Sequence, residues 1–262
     1  MSIEAWAVPV VGLLLAGLVG LSLGMLGAGG SILTAPIFIY VLGHSPREAI
    51  AMSLPVVGVV SLVGALRHRH AGNVALRTAI QFGAVAMIGA FLGARLAGAL
   101  SGAQQLGILA FVMLVAGAAM LRPTPIQERE GSAHATPSAS WKLAAIGLGV
   151  GILTGIVGIG GGFLIVPALV NLAGVPIRHA VGTSLVVIVM NAAGGSIGYL
   201  GQVSIGGTYL VAFIAVASLA AVAGIQLSHR VRAASLKLAF AVFILVVGAW
   251  MLYSNRSAFG LS

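Results

Sequence analysis

Two stretches of this chain, 131 residues apart, carry the same pattern. The first reads Gly27-Ala28-Gly29-Gly30-Ser31, followed by Pro36, Arg47 and Ser53-Leu54. The second reads Gly158-Ile159-Gly160-Gly161-Gly162, followed by Pro167, Arg178 and Ser184-Leu185. The spacing holds without a gap to Gly64/Gly195, Gly93/Gly224 and Gly117-Ala118/Gly248-Ala249. A register kept over most of both halves means internal duplication. It divides the chain into a first repeat over 1–121, a polar linker over 122–141 and a second repeat over 142–262, the two repeats forming one integrated membrane domain. Each Gly-rich, Pro-marked break interrupts a long apolar stretch. Paired interruptions of this kind point to the binding site of a secondary transporter.

Composition sets the solvent. Hydrophobic residues make up 60% of the chain and charged residues 6%, against about 25% charged in a soluble domain. Apolar segments fall near 7–26, 31–42, 48–66, 75–98, 104–121, 142–157, 163–174, 180–200, 207–228 and 235–253. Several reach the ~20 residues that cross a bilayer as helix. They are continuous, without strand-like alternation, which disfavours a β-barrel. The fold class expected is therefore an all-α polytopic membrane protein. The net charge of +9 is read as loop charge that sets topology rather than as a nucleic-acid surface. Glu4 and the lack of a basic stretch before the first apolar run argue against a cleaved signal peptide. The run is expected to stay in the mature protein.

Charge also orders the topology. If 7–42 were one span, the 13 Lys and Arg residues would divide seven to six between the faces, orienting nothing. If 7–42 and its copy 142–174 are helical hairpins, each followed by three spans, Arg67, Arg69, Arg77, Arg122, Arg129, Lys142, Arg178, Arg230, Arg232 and Lys237 share one face. Only Arg47, Arg95 and Arg256 lie on the other. That bias marks the first face as cytoplasmic. Each repeat then makes an odd number of crossings, so the repeats are inverted relative to each other. Both termini face outward and the linker faces the cytoplasm of a bacterial or archaeal cell, in its inner membrane. The second arms, 31–42 and 163–174, span roughly 18 Å at 1.5 Å per residue. That is short of the ~30 Å core, so the hairpins are expected to be shortened or re-entrant.

The breaks are the first chemical candidates. Gly27, Gly29, Gly30 and Ser31, with Gly158, Gly160, Gly161 and Gly162, free backbone N–H groups that can converge on a ligand. The short arm that follows each break presents the positive end of a helix dipole, which suits an anion. Pro36 and Pro167 fit the opening turns of these arms or a kink within them. The alternative is that the glycines only allow tight helix packing. Ser53, Thr183, Ser184 and Asn191 follow the breaks and can orient oxyanions, or bond backbone carbonyls and glue helices. Arg47 and Arg178 are repeated charges, readable as anion guides at two entrances or as interfacial anchors.

Absences narrow the cargo. The chain has no aspartate and no cysteine, and its glutamates are Glu4, Glu48, Glu128 and Glu130, all near ends or loops. Cation pumps place carboxylates within the membrane. An interior of glycine backbone, Ser, Thr and Asn suits a small anion better. Glu48 and the histidines are the few candidates for a coupled proton. No metal constellation, cofactor motif or nucleophile–base set is visible, so no enzyme, metal or cofactor is expected. The lipid bilayer is the certain partner, and a homo-oligomer stays open.

Leu-Gly-Ala-Gly-Gly-Ser-Ile-Leu-Thr-Ala-Pro at 26–36 and Val-Gly-Ile-Gly-Gly-Gly-Phe-Leu-Ile-Val-Pro at 157–167 resemble the sulfite exporter TauE/SafE family. The Arg-x-Ala-x-x-x-Ser-Leu runs at 47–54 and 178–185, and Gly-Gln-Val at 201–203, resemble it too. The resemblance covers nearly the whole chain except the linker. It implies a permease for sulfite, sulfonates or related small anions, with no direction carried over. Two departures make the half-sites unequal. Ala28 and Ser31 stand where the second copy has Ile159 and Gly162, and Arg67-His68-Arg69-His70 has Gly198-Tyr199-Leu200-Gly201 opposite. The readings that compete with a permease are an anion channel and a membrane scaffold or accessory subunit.

Overall fold

The computed structural model describes residues 4–26, 30–121, 140–158, 160–171, 175–203, 207–227 and 233–254. Every regular element among them is helical. In hydrocarbon a backbone must satisfy its own N–H and C=O groups, and the helix does so within one segment. Helix α1 (Glu4–Leu26) leads to the first short arm. That arm is a 3-10 turn (Gly30–Leu33), one turn α2 (Thr34–Pro36) and a π turn (Ile37–Val41). Then come α3 (Pro46–His70), α4 (Leu76–Ala97) and α5 (Gly102–Leu121). The second half repeats the order: α6 (Ser140–Val157), the short α7 (Gly162–Asn171), α8 (Ile177–Tyr199), α9 (Thr208–Leu227) and α10 (Ala233–Ser254).

Six helices, α1, α3, α4, α5, α8 and α9, are long and apolar enough to cross a membrane. The fold is thus an all-α, multi-pass membrane fold. The first arm of the first hairpin is not shortened, since α1 runs for 23 residues. The brevity lies in the second arms, with α7 only 10 residues long. The linker lies almost wholly outside the described residues.

Local sequence sets the helix starts. Ser45 and Glu48 form a reciprocal capping box at the head of α3, with Pro46 at its first position. Ser101 and Gln104 make the same exchange ahead of α5, at 2.8 and 3.2 Å.

Packing between the halves follows the duplication. Gly20 and Gly24 of α1 lie against the backbone carbonyls of Ala217 and Ala221 on α9. Their equivalents Gly151 and Gly155 of α6 lie against the carbonyls of Ala86 and Ala90 on α4. These partners step in the same direction, so α1 runs parallel to α9 and α6 parallel to α4. Equivalent helices also meet each other. Gly64 of α3 faces Leu185 of α8, and Gly195 of α8 faces Leu54 of α3. Gly117 faces Leu245, and Gly248 faces Met113 and Leu114, joining α5 to α10. Here the numbers step in opposite directions, so α3 and α8, and likewise α5 and α10, run antiparallel. Equivalent helices of the two halves thus contact each other reciprocally.

Glycine is required where a carbonyl occupies the place of a Cβ. Gly20→Leu or Gly151→Leu should therefore prevent recovery of monodisperse protein from membranes. Overpacking ordinarily costs about 1–3 kcal/mol, and here the obstacle is backbone. Gly17→Leu and Gly149→Leu, where a Cβ meets nothing within 4 Å, should leave the size-exclusion profile unchanged.

Candidate functional site

The second break is a turn that only glycine makes without cost. Gly158, Gly160 and Gly161 take φ values of 73°, 73° and 70°, in the left-handed region that disfavours a Cβ. The Gly158 N–H donates to Thr154 O at 2.7 Å and closes α6. The N–H groups of Leu164 and Ile165 donate to Gly161 O at 3.0 and 3.1 Å, so α7 starts from that carbonyl. Gly161 and Gly162 lead into the first turn of α7, whose N–H groups have no partner within the helix. They gather at the positive end of α7.

This turn sits at the crossing of α3 and α8. A Cβ on Gly160 would stand 2.7 Å from Val57 Cγ1 and 3.2 Å from Ile188 Cγ2. Val57 and Ile188 are equivalent residues of the two repeats, midway along their helices. Gly160 therefore lies between equivalent residues of the two halves. Ser31, from the first break, is also there, its Cβ 3.6 Å from that position. Gly27 and Gly29 lie outside the described residues, and Gly30 opens the 3-10 turn.

Ser53 ties α3 to the opposite break. Its hydroxyl is 2.7 Å from Ile50 O and 2.8 Å from Gly158 O and shares one proton between them. The Ser184 hydroxyl donates to Val181 O at 2.7 Å. Thr183 is engaged elsewhere: its hydroxyl accepts the Ala75 N–H at 2.9 Å and satisfies an orphan donor at the head of α4. Asn191 is fully buried, and neither its Oδ1 nor its Nδ2 has a hydrogen-bond partner. Ser53 and Ser31 thus lie against the second break, Ser184 and Asn191 are buried further along α8, and Thr183 is engaged with the head of α4. Pro36 is buried in α2 beside the π turn, where Leu42 N–H reaches Ile37 O at 3.1 Å. Pro167 falls inside α7, beyond its first turn.

Arg47 has a structural task. Its Nη2 donates to the carbonyls of Ala97, Gly98 and Leu100 at 3.5, 3.0 and 2.9 Å, capping the end of α4 with positive charge. The Arg178 side chain lies outside the described residues. The sequence reading missed Gln105, whose Nε2 donates to Ala97 O at 3.0 Å. Gln202, read in the sequence only as part of Gly-Gln-Val, donates its Nε2 to Gly198 O at 2.7 Å and Ala94 O at 3.1 Å. Thr154 was missed as well: it is buried against Gly161, with its hydroxyl unpaired. A lone hydroxyl four residues before the break was the available signal. Among the described residues, no three His, Cys, Asp or Glu side chains gather to hold a metal.

Arg47→Ala should lower thermal stability in detergent by about 1.5–3 kcal/mol, the value of hydrogen bonds from a charged donor. Arg47→Lys should recover part of the loss. A thermal scan of the purified variants checks both.

The chain matches the sulfite exporter TauE/SafE family over residues 12–251. It is 36% identical over 173 residues to a probable membrane transporter protein of Xylella fastidiosa (strain Temecula1), and the match spans 66% of each chain. It is 33% identical over 186 residues to the probable membrane transporter protein YdhB of Bacillus subtilis, covering 70% of this chain and 75% of that one. A probable membrane transporter protein of Methanocaldococcus jannaschii matches over 90% of this chain and 92% of its own length, at 25% identity. No solved structure matches the chain. The protein belongs to the sulfite exporter TauE/SafE family of membrane transporters.

Proposed function

We propose that this TauE/SafE family member is a secondary permease that carries sulfite, an organosulfonate or a related small anion by alternating access. The observation that carries the reading is the position of Gly160. A break in the apolar chain, with its amides at a helix start, stands midway along α3 and α8 beside Ser31 of the other break. Amides of this kind hold an anion. A site at mid-depth between two related halves is the arrangement that alternating access uses.

The inverted orientation of the repeats is part of the same reading. It is supported by the antiparallel contact of α3 with α8. Equivalent spans that run in opposite directions cross a membrane in opposite senses. The charge supports a cytoplasmic face at the end of α3 and the starts of α4 and α6. Arg67, Arg69, Arg77 and Lys142 are exposed there. The linker 122–141 would then be cytoplasmic and both termini external, in the inner membrane of a prokaryotic cell.

Reconstitution in liposomes tests the function. Saturable sulfite flux, competed by sulfonates, is the expected result. Flux without saturation would make the protein an anion channel, and a silent protein would favour a scaffold. Gly160→Ala should lower the flux at least tenfold with protein still in the membrane, because it adds a Cβ both to a left-handed backbone and to the Val57–Ile188 contact. Normal flux in that variant removes the break from the site. Single cysteines at Ser132 and Ser257, in a chain that has none of its own, test topology. An impermeant thiol reagent should label the second from outside and the first only after permeabilisation.

A further inference from the structure

The two helices at the site carry the same stripe. On α3 it is Ser53, Val57, Val60 and Gly64; on α8 it is Ser184, Ile188, Asn191 and Gly195. The spacing i, i+4, i+7, i+11 keeps each set on one helix face. The stripes face the break and each other: Val57 and Ile188 border Gly160, while Gly64 and Gly195 meet the opposite helix. Three of the four pairs keep their polarity. The fourth replaces Val60 with Asn191, which is fully buried with both amide atoms unpaired. On the other side of the same turn Thr154 is 2% exposed, its hydroxyl unpaired, and its equivalent is Leu23. Two polar groups with apolar equivalents thus lie near the turn: Thr154 against Gly161, and Asn191 one helical turn beyond Ile188, which borders Gly160. Buried polar groups are retained where a partner completes them.

The charge balance narrows that partner. Among the described residues no Lys, Arg, His or Glu is fully buried. The positive potential at the turn comes from backbone amides and the start of α7, equivalent to about half a charge. That offsets about half of one negative charge and leaves a second wholly unscreened in a low-dielectric interior. The free Asn191 Oδ1 accepts only, so it needs a donor on the ligand, while Nδ2 and the amides supply donors to an oxyanion.

We infer that the ligand is a singly charged oxyanion bearing its own hydrogen-bond donor, such as hydrogen sulfite or a hydroxyalkanesulfonate, and that Asn191 selects for the donor. The inference rests on the permease reading above and specifies the cargo of that same site.

Three sulfonates of similar size separate charge from donor. 2-Hydroxyethanesulfonate is a monoanion with a hydroxyl, ethanesulfonate a monoanion without one, and sulfoacetate a dianion at neutral pH. In proteoliposomes of the wild-type protein, the hydroxylated monoanion should show a KM lower by about tenfold than ethanesulfonate, the scale of one added hydrogen bond. Sulfoacetate should be carried slowest. Asn191→Val, which installs the residue that α3 holds at the equivalent place, should bring the two monoanions within about twofold. Asn191→Ser should restore part of the difference. Preferred transport of sulfoacetate, or wild-type protein indifferent to the hydroxyl, overturns the inference whether or not the variants assemble. Discrimination that persists in Asn191→Val removes Asn191 from the role. A protein that carries none of the three and no sulfite overturns the permease reading itself.

Discussion

The contact on which the assembly depends is glycine against a backbone carbonyl. In hydrocarbon, two apolar helix faces gain nothing by leaving solvent, because lipid tails are as apolar as they are. Association must come from dispersion at close range and from shape. Gly20 and Gly24 let α1 approach the carbonyl row of α9, and Gly151 and Gly155 let α6 approach that of α4. Each half therefore presses its first helix onto the third full helix of the other half. Neither half makes that contact alone. The contact of Gly160 with Val57 and Ile188 likewise joins residues of both halves, so the packing of the bundle and the geometry of the candidate site share the same interface.

The duplication was legible because a gapless offset survives divergence of everything around it. The breaks were legible for a related reason: Gly158, Gly160 and Gly161 need a left-handed backbone, and that need is written in residue type. The uses of polar side chains were not. Thr183 is spent on Ala75, 108 positions away in the chain. Arg47 is spent on carbonyls 50 to 53 residues on. A hydroxyl or guanidinium beside a break looks like a ligand group until the helix end that needs it is placed alongside. Thr154 went unread for the opposite reason, since one hydroxyl in an apolar helix ordinarily bonds its own backbone.

The departures from two-fold packing are also written in glycine. Helix α4 packs closely on α8, whereas the equivalent pair, α9 and α3, touches less. Gly194 and Gly198 accept the backbones of Met87 and Phe91 at the tight interface. Their equivalents on α3 are Val63 and Arg67.

That difference bears on how a duplicated frame could work as a permease. Alternating access needs two arrangements close enough in free energy for cargo to move the protein between them. A nearly symmetric frame supplies them, because opening one half against the other exchanges one set of contacts for its equivalents. Full symmetry would leave the two arrangements equal in energy and the half-sites alike. Gly194 and Gly198 stand where α3 has Val63 and Arg67, so the two equivalent interfaces are unlike. Asn191 against Val60 places polar capacity on one side of the central turn. Both departures lie on the same two helices, α3 and α8. A change in the crossing of those helices would move both the tight interface and the side chain proposed to select the cargo.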